Sequence, residues 1–397
     1  MTRRLRSSAR ACSAVRAAGA VLVLVLVLVL AAACRSAPVP APEPLPPPIA
    51  VPRAVAPRSY AALDTTPARV TVFVATTRRS VASDRPGERF GPDDADSLQF
   101  AAVGVNVPSY RARGTGELPR PSSLRANALS YRPDPQKDFF VTSVIPVDSN
   151  RFVQRVAADL AATRSRDLLV FVHGFNTSFE DAALRAAQIA ADIGFDGTVI
   201  LFSWPSATSV ASYVRDQETA RNAGFHLLRL LRGHAAAALP DRIHLLGHSM
   251  GSEVIGKALT LVATEDSLPR LAQVALAAPD IDARVFRREV LPRLVRRSTR
   301  VTLYASTDDE ALRASRAVNG VWRLGLGGDS LVVVRDMDTI DASRVQADVL
   351  GHTLFGNQAF LADLATLLAE GRPPAERRLL AIRRGELTFW RFRGDPR

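Results

Sequence analysis

The sequence predicts an α/β domain, with a mostly parallel central sheet and helices on both of its faces. Three observations carry the prediction. From Leu168 onward, short apolar runs alternate with longer stretches of helical periodicity, as βαβ units require. One of those runs, Ile243 to Leu246, passes through Gly247-His248-Ser249-Met250-Gly251 into a helical stretch from Glu253 to Val262. Strand, G-x-S-x-G and helix in that order describe a nucleophile elbow, a turn so tight that it needs small neighbours such as Gly247, Gly251 and Ser252. Finally, 47% of the 397 residues are hydrophobic, which supports a sizeable core.

Taken in order, the chain opens on a targeting segment. Arg3, Arg4, Arg6, Arg10 and Arg16 precede an apolar stretch, Ala17 to Ala33, that ends in three alanines before Cys34. Small residues before a cysteine at this point resemble the bacterial lipobox, although leucine is more usual where Ala31 stands. The resemblance implies cleavage before Cys34 and lipidation of Cys34. The alternative is an uncleaved membrane anchor, because the stretch falls between the lengths of a signal h-region and a membrane span. Either way the protein is expected in the bacterial cell envelope, tethered to a membrane; the lipoprotein resemblance, with Arg35 rather than an aspartate after the cysteine, implies the outer membrane on its periplasmic side. Cys12 lies in the segment to be removed, which leaves the mature chain no intramolecular disulfide. Ala37 to Pro57 is rich in proline and alanine and reads as an extended stalk. The expected segments are a signal peptide over 1–33, a lipidated N-terminus and linker over 34–66, a folded domain over 67–371 and an arginine-rich tail over 372–397.

The formal charge is +12, and taking away the five arginines before Cys34 leaves +7. Lys137 and Lys257 are the only lysines. The arginines are scattered among acids without a nucleic-acid-binding motif, so no nucleic-acid partner is expected. No His/Cys/Asp cluster has metal-ligand spacing, and no metal or cofactor is expected.

In the domain, Val70 to Ala75, Phe100 to Val107 and Phe139 to Val147 read as strands, with a long loop over Arg111 to Pro133 and a helix from Asn150 to Thr163. Six further strands are expected at Leu168–Val172, Thr198–Phe202, Arg242–Leu246, Gln273–Ala277, Val301–Tyr304 and Leu331–Val334. Helices are expected at Phe179–Ile193, Val210–Leu231, Glu253–Val262, Ala283–Leu291, Ala311–Ala317 and Gln358–Ala369. In the α/β-hydrolase fold the nucleophile follows the fifth strand of eight, which fits if two of the early strands join the sheet. Leu387 to Phe392 reads as an edge strand within the tail.

Ser249 is the candidate nucleophile. An acyl-transfer site also needs two backbone N–H donors for the developing oxyanion. By position these are the amides of Phe175, in the loop His173-Gly174-Phe175-Asn176 after a strand, and of Met250. His173 itself reads as a structural loop residue. Triad order on this fold is serine, acid, histidine. Of the six histidines, His173, His226, His234, His244, His248 and His352, only His352 follows Ser249, and it is the candidate base. The acid should end a strand between them. Asp308 and Asp309 follow one such strand and Asp280 the preceding one, while Asp282 reads as a helix cap.

Seven stretches together resemble a widespread, poorly characterised bacterial group of esterase/lipase-like α/β-hydrolases. They are His173 to Asn176, Leu201 to Ser206, Gly247 to Gly251, Ala278 to Asp282, Tyr304 to Ser306, Ile340 to Ser343 and Gly351-His352. The resemblance runs from about Val70 to Leu368 and implies the α/β-hydrolase fold and hydrolase chemistry. The family pattern near the acid, Tyr-x-Ser-x-Asn-Asp-x-Ala-Leu, aligns Asp309 with its aspartate, and Asp308 replaces its asparagine. The reading is a membrane-tethered serine hydrolase with a Ser249–His352–Asp309 triad, acting on small acyl esters. A non-catalytic envelope lipoprotein that uses the fold for binding, and a hydrolase of thioesters or amides, are the alternatives.

Overall fold

The computed structural model describes residues 68–108, 116, 118, 132–262, 268–343, 345 and 352–393. The expected signal peptide, Cys34, the stalk, most of the 111–133 loop and Gly351 lie outside them. The described residues hold strands β1 (Ala68–Ser80), β2 (Phe90–Val107), β3 (Phe140–Val147), β4 (Asp167–Val172), β5 (Gly197–Ser203) and β6 (Arg242–His248). β7 (Leu271–Ala277), β8 (Ser298–Ala305), β9 (Asp338–Asp341), β10 (Leu379–Arg384) and β11 (Leu387–Phe392) follow. The principal helices are α1 (Ser149–Ala162), α2 (Phe179–Asp192), α3 (Tyr213–Arg229), α4 (Gly251–Thr260), α5 (Glu310–Asn319) and α6 (Gln358–Glu370). Shorter helical pieces continue α3 over 230–235 and fill 283–297. Among the described residues no helix is long and apolar enough to cross a membrane.

All eleven strands form one sheet in the order β10-β11-β9-β8-β7-β6-β4-β5-β1-β2-β3. β2 runs against both β1 and β3, and β10 against β11; the other pairs are parallel. The parallel strands β4 to β8 are buried almost end to end, because helices cover both faces. β1 shows the alternation. Val72 and Val74 join the core cluster of α2, whereas Phe73 between them meets Phe152 of α1, ring centroids 6.1 Å apart.

Three early strands join the sheet, not two, so Ser249 follows the sixth strand. The strand expected at Leu331–Val334 is absent. That segment reaches only a lone bridge, Val334 to Met337, and the strand is the next one, β9. The sequence hid β9 because an aspartate stands at each end. Asp338 is held by Arg300 at 2.7 Å and Asp341 by Arg391 at 2.8 Å, which lets Thr339 and Ile340 be buried between them. The tail also differs from expectation. β11 lies inside the sheet, parallel to β9, and β10 is the edge. The sheet therefore runs past the boundary expected at 371. β10 escaped notice because its exposed residues include Arg383 and Arg384, charges that suit an edge strand and blur its alternation.

Candidate active site

The parallel register brings the ends of β4, β6, β7 and β8 together, and each contributes one part. At the end of β6, Ser249 has φ +51°, a left-handed conformation that costs a non-glycine residue about 1–3 kcal/mol. The neighbourhood holds it there. Its N–H donates to the carbonyl of Ala277 on β7, and its own carbonyl accepts from the N–H groups of Ser252 and Asp280, each at 3.0 Å. Space is the second constraint. A Cβ on Gly251 would stand 2.5 Å from the carbonyl oxygen of Val172, and one on Gly174 would stand 2.9 Å from Cβ of Ser249. Helix α4 thus starts directly against the end of β4, and the β4 loop presses on the serine.

His352 arrives from the loop before α6. Its Nε2 lies 2.7 Å from Oγ of Ser249, and its Nδ1 lies 2.8 Å from Oδ2 of Asp309. Asp309 is fully buried. Its other oxygen, Oδ1, accepts the N–H of Leu312 and so caps the N-terminus of α5. A proton on Nδ1 donated to Asp309 leaves Nε2 to accept from the serine hydroxyl, which is the arrangement that lets an imidazole activate an alcohol.

The other two candidate acids are engaged elsewhere. Asp308 is exposed. Asp280 is buried, and its carboxylate accepts from Tyr213 Oη at 2.8 Å, Ser315 Oγ at 2.6 Å and Arg323 Nε at 2.6 Å. Arg323, itself buried, also reaches Glu253 on α4 at 3.3 Å. Asp282 caps the helical run that follows, accepting the N–H of Arg284.

The two amides expected for the oxyanion belong to Met250, next to Ser249 in the chain, and to Phe175, which follows Gly174, whose Cβ position lies against Ser249. Among the described residues neither the Phe175 nor the Met250 N–H donates to a protein acceptor. The Phe175 ring packs edge-on against Tyr213, 5.3 Å between centroids. His173 is structural, as its upstream place suggests. It is buried and stacked at 5.2 Å on Trp204, whose indole N–H donates to the His173 carbonyl. Burial, with Arg78 nearby, lowers its pKa to about 3 and keeps it neutral. His248 stands 5.1 Å from His352, ring to ring. Burial, then the charge His352 would carry, pushes its pKa well below the usual value.

Arg78 anchors the loop that carries Phe175, a role that the sequence did not disclose. It is buried, and its guanidinium donates to the carbonyls of Thr177, Gly91 and Ser206 and to the Ser203 hydroxyl. One side chain thus ties β1 and β5 to the loop that carries Phe175. Burial lowers its pKa to about 10, partly offset by Asp216. Nothing in an arginine-rich sequence singles it out. Tyr213, Ser315 and Arg323 were missed for the same reason, since their roles depend on contacts between distant segments.

The parts open onto a cavity of about 680 Å³, in the range of small-molecule sites. Phe175, Tyr213, Ala311, Ser315 and Val318 are among its lining residues, as are Arg185, Thr353 and Phe355, with Ser249 and His352. Among the described residues no group of three or more His, Cys, Asp or Glu side chains is placed to hold a metal.

A family model described as "Alpha/beta hydrolase of unknown function (DUF900)" matches residues 148–370. That span takes in β4 to β9, Ser249, Asp309 and His352. No curated protein matches the chain.

Proposed function

The chain belongs to this family of α/β-hydrolases of unknown function, and on that premise we propose that it is a serine hydrolase cleaving carboxylic esters. The observation that carries the reading is the pair of short contacts joining Ser249, His352 and Asp309. In the proposed reaction Ser249 Oγ attacks the ester carbonyl while His352 Nε2 takes its proton. The amides of Phe175 and Met250 receive the oxyanion. His352 then protonates the departing alkoxide, and water hydrolyses the acyl-enzyme by the reverse roles. Asp309 orients His352 and stabilises its charged form. The reading assigns no step to a metal or cofactor. Purified domain should be labelled by a fluorophosphonate probe and hydrolyse small acyl esters, and Ser249→Ala should lose both. Labelling that persists in Ser249→Ala would reject the nucleophile.

The preferred esters in this proposal are short or medium acyl, turned over in solution without a rate jump at a lipid interface. Val210 and Val318 at the pocket mouth are 74% and 60% exposed, which favours an open entrance over a buried tunnel. A rate jump above the micellar threshold would contradict this. The enzyme is also proposed to be exported and tethered through lipid on Cys34, on the strength of the sequence alone. Cys34→Ser should then block processing and the gain of lipid mass. An unmodified Cys34 on an intact N-terminus in the wild type would indicate a membrane anchor instead.

A further inference from the structure

The cavity beside Ser249 has two groups of lining residues, each joined by its own contacts. Phe175, Tyr213, Asp280 and Ser315 form one, through the edge-on rings and the hydrogen bonds to Asp280. His248, His352, Phe355 and Arg185 form the other, with ring centroids 5.1 Å and 5.2 Å apart and Arg185 5.9 Å over the Phe355 ring. Ser249 stands between them. Its hydroxyl faces His352, and its carbonyl accepts from the Asp280 N–H.

This division fixes the direction of the substrate if the serine-hydrolase reading holds. A general acid must come within hydrogen-bond reach of the leaving oxygen. The alcohol portion of an ester therefore lies on the side of His352, Phe355 and Arg185. The acyl portion extends away from it, along α5 from its His352-bound N-cap toward Tyr213, Ser315 and Val318.

On that side α5 presents Ala311, Ala314, Ser315 and Val318 to the cavity, positions spaced i, i+3, i+4 and i+7 that share one helix face. Ser315 is buried, Ala311 is half-buried, and Ala314 and Val318 are exposed. The surface is a trough, buried at Ser315 and open to solvent at Val318 and Val210. We infer that this face of α5 is the acyl-binding surface, that Ala311 leaves the room for the chain, and that Val318 marks where its apolar contacts end. The seven steps from Ala311 to Val318 span about 10 Å of helix, which an extended chain of roughly eight carbons covers. The substrate class is then an ester of a linear acyl chain up to that length. Longer chains are accepted without further gain, because their tails leave the trough.

The test uses a series of alkyl fluorophosphonates, in which the alkyl group takes the acyl position. The Ser249 Oγ–P bond forms, the P–F bond breaks, the serine proton passes to His352 and fluoride leaves. The labelling rate should rise about twofold per methylene for a half-buried chain, against about fourfold for an enclosed one, and flatten near eight carbons. Ala311→Phe should lower the octyl-to-ethyl rate ratio at least tenfold. Val318→Asp, at an exposed site that folding does not depend on, should move the plateau to shorter chains. Arg185→Ala should change octyl and ethyl rates alike. An unchanged ratio in both α5 variants, or a ratio that follows Arg185 instead, would overturn the inference while leaving the nucleophile intact. Absence of labelling at every length would remove the serine-hydrolase reading and this inference with it.

Discussion

The loops after β7 and β8 make an instructive pair. Each follows a buried parallel strand beside Ser249, and each places an aspartate just before a helix or helical run. After β7, Asp280 receives three side-chain donors on its carboxylate, one of them a buried guanidinium, while its backbone N–H supports the strained serine. After β8, Asp309 spends one oxygen on a backbone N–H and turns the other to His352. Neither sequence position nor burial separates the two. What separates them is the permanent cation: a carboxylate already neutralised by Arg323 has little left to offer an imidazolium, whereas Asp309 stays available to one.

Substitutions can break or sharpen this contrast. Ser249→Ala, which removes the atom both loops serve, sets the floor, with kcat expected to fall on the order of 10⁵–10⁶-fold in ester hydrolysis. Asp309→Asn should cost about 10⁴-fold in kcat, yet change the melting temperature little, because asparagine still caps α5. Asp280→Asn should show the opposite balance. It leaves the buried Arg323 with Glu253 alone as charge partner, so chemical denaturation should reveal a loss of about 2–3 kcal/mol, with a smaller fall in kcat than for Asp309→Asn. If Asp280→Asn proves the more damaging to turnover, the acid has been assigned to the wrong loop. Asp308→Asn is expected to be nearly silent, within about 0.5 kcal/mol in stability and twofold in rate, since its side chain is exposed.

The same contrast explains how much the sequence could disclose. The elbow was legible because its signal is local: glycines at fixed offsets between an apolar run and a helix. His352 was legible by elimination, as the one histidine after Ser249. The choice among Asp280, Asp308 and Asp309 was not decided by strand ends, because it rests on Arg323, Tyr213 and Ser315, which arrive from three other segments. The resemblance near Tyr304 to Leu312 is what favoured Asp309. The core strands β4 to β8 were visible as apolar runs. β9 and β10 were not, for their charges are matched or solvated only once the sheet is assembled. Arg78 is the extreme case, a buried arginine whose partners are mostly backbone carbonyls that no sequence pattern marks.

The double engagement of Asp309 has a thermal consequence. One carboxylate both starts a helix and holds His352, the proposed base, so the first turn of α5 and the proposed catalytic register are a single mechanical unit. Helix ends fray at free energies well below that of global unfolding. When this one frays on warming, the imidazole loses its guide while the eleven-stranded sheet is still whole. Turnover should therefore decline, reversibly, at temperatures where the far-ultraviolet dichroism is still that of the native fold.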